Sequence, residues 1–414
     1  MPKNMEKKTK AQRRVHHAGR ESQILIYLGK QLRFFINESD WKVLPMAAII
    51  AALVAMVIRK RFFINMEGSL IGAFALTCVA IWNGCFNSIQ AVCRERPIVK
   101  REHRSGMHIS AYVLAHMIYQ LLLCAAQTGL TMYVLKLLGV PFPAEGFMTR
   151  WMIVDIGISM LLISYASDMM SLFLSSISHT TTGAMTIMPF VLIFQLVFSG
   201  GIIPLPSWSQ SLSNFTISNY GVKAIAAQSG YNERPMVTAW NTLSGMRNRE
   251  IGGTVTLGQL MDLLNNEKME QYEDREIIPS FNLAETAVQV VRELNLIDEE
   301  KTQEALAKAQ ADPAMTKAVR LKDVKKLLNS SNYLQSHRDQ AFTLKFKVGE
   351  LFDLFGEENI KAAVQKATAE ASYKPEYAQT RENVVKNWVM LGVFIAVFAL
   401  MSVIVLEMID KDKR

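Results

Sequence analysis

Apolar residues in this chain gather into long runs separated by charged punctuation. Six runs, near 43–58, 69–92, 112–139, 151–176, 182–204 and 388–407, approach or exceed the roughly 18 residues that carry a helix across a bilayer core of about 30 Å. The pattern predicts an all-α polytopic membrane protein with six transmembrane helices. Five of them fall in 43–204 and the sixth in 385–408. Ahead of them, Ile24, Leu25, Tyr27, Leu28, Leu32 and Phe35 recur at helical spacing, with Lys30 and Arg33 between. That spacing predicts an amphipathic helix over 23–42 lying along a membrane surface.

Between the fifth and sixth runs the pattern changes. Residues 205–240, rich in Pro, Ser and Asn, contain no full span and read as an external re-entrant segment. Residues 241–384 read as a soluble, mainly helical insert, with helices expected at 256–265, 283–295, 298–311, 320–330, 348–355 and 357–370. Thr256, Asn282 and Asp298 are the expected caps. Phe342–Val348 alternates apolar and polar, as a strand does. Leu257-Gly-Gln-Leu-Met-Asp-Leu-Leu echoes Val348-Gly-Glu-Leu-Phe-Asp-Leu-Phe. Two similar amphipathic helices account for the echo as well as a duplication does.

Charge orients this scheme. Residues 1–42 hold ten Lys/Arg, with a basic tail over 1–22, and Arg94–Arg104 hold five more. An even number of spans puts both termini, including the short 409–414 tail, on one side. Basic short segments mark the cytoplasmic side, which places the insert outside. The insert region itself is nearly balanced, with 22 Lys/Arg against 24 Asp/Glu over 205–387. A basic tail beside a span points to anionic lipid rather than nucleic acid. Location in a plasma or inner membrane is expected.

Chemistry is sparse. Cys78, Cys85, Cys93 and Cys124 sit in or beside apolar runs, and neither they nor the histidines show metal-ligand spacing. No Gly-x-x-x-x-Gly-Lys-Ser/Thr loop occurs to cradle phosphates. The Leu243–Arg249 stretch reads as a turn. Asp155 and Asp168, both on the fourth run, are intramembrane acids, and burying charge in lipid is expensive. Thirteen residues apart, or roughly 20 Å along a helix, they are too distant to form a catalytic pair. They read as structural carboxylates, with Arg150 within reach of Asp155. No catalytic residue and no cofactor on this chain are expected.

One stretch is specific. Glu95-Arg96-Pro97, then Arg101-Glu102-His103-Arg104-Ser105-Gly106-Met107, then Ser110-Ala111-Tyr112 join the second run to the third. This resembles the cytoplasmic elbow of the G-subfamily of ABC exporters, within the ABC-2 permease superfamily. Residues 24–42 resemble that family's connecting helix, and Phe198-Ser199-Gly200 its motif at the end of span five. Pro206–Trp208 and Ser218-Asn219-Tyr220-Gly221 resemble its external re-entrant segment. The likeness covers about 24–230 and 385–408.

The resemblance implies an ATP-driven exporter subunit moving a hydrophobic, lipid, glycan or peptide cargo. Only a basic stretch of about 20 residues, seven of them Lys or Arg, precedes the connecting helix, so ATP and Mg are expected on a separate ABC ATPase subunit. A second permease subunit, identical or homologous, is also implied. Glu95, Arg96, Arg101 and Glu102 become an exposed coupling surface for the ATPase, or otherwise only a basic inner loop. Asn83, Phe86, Pro189, Ile193 and Phe194 become cavity residues, or otherwise ordinary packing. Gly201 and Ile202 match an external plug that is normally bulkier. The large insert raises an alternative, in which ATP-driven motion acts through it on an external envelope protein, without cargo flux.

Overall fold

The computed structural model describes residues 19–37, 40–201, 206, 209–274, 276–277, 319–330 and 332–408, with isolated positions 292, 301, 304 and 307. Two compact units form, one from 1–235 with 372–414 and one from 236–371. The sequence reading had set the insert at 241–384.

The first unit begins with α1 (Arg20–Asn37), the amphipathic helix. Next come α2 (Val43–Ile58), α3 (Met66–Ser88), α4 (Ala91–Arg104), α5 (Ile109–Leu137), α6 (Met152–Ile177) and α7 (Thr181–Val197). Short α8 (Gln210–Ser213) and α9 (Ile217–Gln228) follow. α3, α5 and α6 are long and apolar enough to cross a membrane, as is the last helix of the chain. α2 and α7 are apolar but only 16 and 17 residues long. At 1.5 Å per residue they reach about 24–26 Å, short of the bilayer core. The six expected spans are thus four long helices and two shorter ones.

Close approach organises this unit. Lipid gives no hydrophobic force between helices, so small and polar residues decide which faces meet. A Cβ on Gly84 of α3 would lie 2.0 Å from the Ser164 carbonyl of α6, so only glycine admits this crossing. Around it Ser167 Oγ donates to Ile81 O at 2.9 Å and meets Cys85 Sγ at 3.0 Å. Asn87 of α3 and Gln127 of α5 exchange two amide hydrogen bonds, at 2.8 and 3.1 Å. α9 packs on α3 and α6 through Gly221, where a Cβ would meet Ile163 and Thr77 within 3 Å. Between α2 and α3 the chain turns through Phe63, which has φ 63°, and Phe62 and Phe63 pack on Phe142.

The second unit carries α10 (Thr238–Gly245), β1 (Glu250–Thr256), α11 (Leu257–Leu264), β2 (Glu276–Ile277), β3 (Val319–Arg320), α12 (Leu321–Ser330), α13 (Asn332–Ser336), β4 (Ala341–Lys347), α14 (Val348–Phe355) and α15 (Glu357–Ala371). β2 pairs with β3 antiparallel. Thr256 caps α11 through a capping box with Gln259. The expected helices at 283–295 and 298–311, with Asn282 and Asp298, lie almost wholly outside the described residues. Leu243 to Gly245 close α10, and only the residues after them turn.

β4 is the expected strand, but its partner β1 was not foreseen. They pair antiparallel with Gly253 opposite Leu344. Each strand runs straight into one of the echoed helices, so the echo is a repeated strand–helix unit. Positions 91 apart (348 minus 257) are equivalent. Gly258 N donates to Arg338 O and Gly349 N to Arg247 O, both at 2.8 Å. Arg338 bonds Asp262 as Arg247 bonds Asp353. Gly253 and Leu344 are themselves 91 apart, so a local two-fold passes through that pair. The core follows the same symmetry in part, for Leu243 and Leu334 are 91 apart whereas Trp240 and Leu328 are not equivalent positions. Trp240 and Leu243 pack on Val348 and Phe352, while Leu328 and Leu334 pack on Leu257 and Met261.

The chain ends with α16 (Arg381–Glu407), which lies mainly along α6 and α9 of the first unit. Trp388 Nε1 donates to Ser159 Oγ at 2.8 Å. Within this unit, Asn232 Nδ2 donates to Lys374 O at 2.9 Å and Lys374 N donates to Asn232 Oδ1 at 3.1 Å. Tyr231 and Tyr377 stack edge-on beside this clasp at 5.1 Å.

Candidate functional site

The elbow is a helix, α4, and most of its expected coupling charges turn inward. Glu95 is buried and takes a salt bridge from Lys30 of α1 at 3.1 Å, with Tyr112 OH at 3.5 Å. Tyr27 OH of α1 donates to Glu102 Oε2 at 2.9 Å. Arg96 Nη1 donates to Ser176 O at 2.7 Å and Ser178 O at 3.2 Å, covering carbonyls that the end of α6 leaves without helical partners. Ser175 Oγ accepts from the Val92 and Cys93 amides, each at 3.1 Å. Gln23 joins α1 to the start of α5, accepting from His108 N at 2.9 Å and donating to Gly106 O at 3.3 Å.

The expectation that all four charges are exposed therefore fails for Glu95, Arg96 and Glu102. They bind α1, α5 and α6, and Arg101 alone of the four is exposed. What α4 presents outward is Arg94, Pro97, Ile98, Arg101 and Arg104, one helical face by its i, i+3, i+4 spacing. Burial, with the Glu102 carboxylate beside it, pushes the Tyr27 phenol above its ordinary range, so it stays a donor.

The two intramembrane acids differ. Asp155 stands in the first turn of α6, where its two oxygens accept from Met148 N and Thr149 N, both at 2.7 Å. It anchors the α5–α6 loop, and its partners are backbone amides rather than Arg150. Asp168 is fully buried, with Cys124 Sγ 3.6 Å from Oδ2 and no hydrogen bond to Oδ1 among the described residues.

The expected cavity residues also divide. Asn83 is buried on the packed side of α3, whereas Phe86 is exposed and lies edge-on to Trp82 at 6.3 Å. Pro189, Ile193 and Phe194 all lie on the exposed face of α7. Phe86 and Glu95 line one cavity of about 220 Å³, which α7 reaches only through Met185. Gly201 is buried where a Cβ would sit 3.0 Å from Val222 of α9, so its smallness serves packing. Ile202 lies outside the described residues.

Several groups escaped sequence reasoning. Ser218 bonds Gln195 of α7 through side chain and backbone, and Thr216 Oγ1 donates to Phe198 O at 3.1 Å, tying α9 to the end of α7. The serines of α6 likewise receive the elbow. The available signal was polar residues at helical intervals inside an apolar run, a pattern reserved for helix–helix contact.

Comparison with known proteins agrees with this geometry. The ABC-2 type transporter family model matches residues 24–228. The ABC transporter ATP-binding/permease protein Rv1747 of Mycobacterium tuberculosis is 28% identical over 155 residues, 36% of this chain. The chain covers only 17% of that relative's length. Apolar helices of spanning length, the elbow between α3 and α5, and the family match converge: residues 24–228 form the membrane domain of an ABC-2 type transporter.

Proposed function

We propose that the chain is the permease subunit of an ATP-driven exporter, powered by a separate ABC ATPase and paired with a second permease subunit. ABC-2 permeases generally partner ATPase subunits. The observation that carries the reading is the two-faced elbow. Its inner face is bonded to α1, α5 and α6, and its outer face presents Arg101 and Arg104 around Pro97 and Ile98. A push on such a helix reaches α6 through Arg96 and Ser175, and α1 through Glu102 and Glu95.

In this reading α2 and α7 cross the membrane with the four longer helices. Both termini face the cytoplasm and 236–371 stands outside, in keeping with the basic elbow. The exposed faces of α3 and α7, with Phe86, Ile193 and Phe194, meet the second subunit and enclose the path of a hydrophobic, lipid, glycan or peptide cargo. ATP and Mg bind on the ATPase.

The test is purification in mild detergent with identification of equimolar partners. Recovery of a P-loop ATPase that is lost on Arg101→Glu supports the reading. A nucleotide-insensitive chain without an ATPase overturns it. Replacing 236–371 by a short linker then separates transport from work on an external protein. A transporter keeps some flux, and a device acting through its insert loses all function.

A further inference from the structure

Three consecutive cations, Arg59, Lys60 and Arg61, follow α2 and are all exposed. They lead into the N-terminal end of α3, and the elbow follows its other end. α3 has 23 residues, so about 34 Å separate the two ends. The cations therefore stand at the membrane surface away from the elbow. Short basic segments normally collect on one side of a membrane, which here is the elbow side. That rule leaves this cluster unexplained. The helix dipole accounts for one of the three. Arg59 caps the C-terminus of α2, where a cation is favoured, but that field fades within a turn.

The turn that carries them is built against α3. Phe62 is fully buried in a notch that Gly72 leaves open, since a Cβ there would lie 2.3 Å from the ring. One turn earlier, a Cβ on Gly68 would lie 2.4 Å from the Arg61 carbonyl, so the backbone of the cluster rests on α3 itself. Asn65 caps α3, accepting from Gly68 N at 2.7 Å. Phe63 packs on Phe142 of the α5–α6 loop, with ring centroids 5.6 Å apart. These contacts fix the backbone and leave the three charged side chains exposed.

The α5–α6 loop adds Lys136 and Arg150, both exposed. Residues 59–65 and 136–151 together hold five Lys/Arg and one acid, Glu145. Among the described residues none of the five cations makes a salt bridge, and Glu67 at the start of α3 pairs with none of them. Such a rim attracts anions, and the apolar residues around it select which kind. Ile64 in the turn, Tyr133 and Leu137 near the end of α5, and Trp151 ahead of α6 are all exposed. Arg150 lies over the Trp151 ring at 5.9 Å. Rings beside cations are the pattern of a bilayer interface, where they sit at headgroup level. A soluble polyanion neutralises the cations but leaves the apolar groups in water. A lipid surface covers both.

We propose that this rim gathers anionic phospholipids in the leaflet opposite the elbow. Their phosphates face Arg59, Lys60, Arg61, Lys136 and Arg150, and their acyl chains lie against Ile64, Tyr133 and Leu137. Zwitterionic lipid serves less well, because its own ammonium offsets the phosphate. The inference goes beyond the transport reading and needs only that α3 spans the membrane.

The test places a bimane label on the full chain at Ile64→Cys. Half-buried Cys78 is replaced by Ala, and the other three cysteines are buried. The chain is reconstituted in nanodiscs of equal phosphatidylglycerol and phosphatidylcholine, and brominated acyl chains on one lipid or the other quench the label. Phosphatidylglycerol should be enriched about fivefold at position 64, the effect of one surface cation per headgroup. The triple variant Arg59→Gln, Lys60→Gln, Arg61→Gln should lower this to less than about twofold, with size exclusion verifying the fold. About 1 M NaCl, which shortens the screening length to about 3 Å, should do the same without substitution. A label at Val397→Cys, an exposed position within α16, should find the two lipids equal. Equal lipids at position 64 overturn the proposal, as does enrichment that survives the triple variant or the salt, or that is as strong at position 397. Loss of the preference on adding polyphosphate at matched ionic strength also overturns it, since the rim then serves a soluble polyanion.

Discussion

α6 and α7 are neighbours of similar hydrophobicity and opposite fate. α6 buries Asp155, Ser159, Ile163, Ser167, Asp168 and Ser175 completely. α7 leaves Phe190 72% and Ile193 58% exposed. In water the more apolar helix would be the more buried, but in lipid the rule reverses. Serines, small residues and carboxylates draw α3, α4, α9 and α16 onto α6, while the bulky apolar face of α7 is content against acyl chains or a partner. α6 is the fixed post of the unit, and α7 lies on it by one narrow face, Ala184, Met188 and Leu192, with Gln195 and Phe198 bonded to the start of α9.

The contrast breaks most readily at Gly84. Gly84→Leu should prevent recovery of folded chain, because overpacking already costs about 1–3 kcal/mol where neighbours can yield and here the neighbour is backbone. Gly129→Leu on α5, where a Cβ meets nothing within 4 Å, is the control. Equal size-exclusion profiles for the two would sink the close-packing argument. Next in size is Ser175→Ala, which strips a partner from two buried amides and should cost about 1–3 kcal/mol. A thermal melt in detergent reads it.

Tyr27→Phe should cost about 1 kcal/mol by removing its hydrogen bond to Glu102. It also carries a pH signature. The folded phenol titrates above its unfolded value, so its contribution is full below about pH 10 and falls as pH rises toward the folded value. The variant should therefore lose less stability than wild type above pH 10, and parallel pH–melting curves would argue against the contact. Smallest is Phe190→Ser on α7, expected to change subunit stability by less than about 0.5 kcal/mol. A melt shift as large as that of Ser175→Ala would show that α7 is packed as α6 is.

Helix positions were legible because long apolar runs admit few other structures, and most observed helices start or stop within a few residues of the expected bounds. α7 is the exception, ending at Val197 where an apolar run to 204 was expected, because Thr216 and Ser218 take over its last carbonyls. The elbow was legible as a motif, but its facing was not. Whether Glu95 looks outward depends on Lys30, 65 residues earlier, and no local pattern encodes that pairing. Gly201 read as a weakened plug because the nearness of Val222 is a tertiary fact. In the second unit the echoed helices stood out, yet β1 did not. Its Gly252-Gly253 centre breaks the alternation that marks a strand, and only pairing with β4 defines it.

The clasp between Asn232 and Lys374 makes the second unit a cartridge. The outgoing and returning chains meet through two hydrogen bonds within the first unit, so a bridge of about two to four residues spans the gap at roughly 3.5 Å per residue. A lineage or an engineer can exchange what lies beyond that doorway, lengthen it or remove it, and α16 still returns to its place on α6. Novelty at this position comes cheaply to the membrane domain, because its framing residues stay the same whatever the doorway admits.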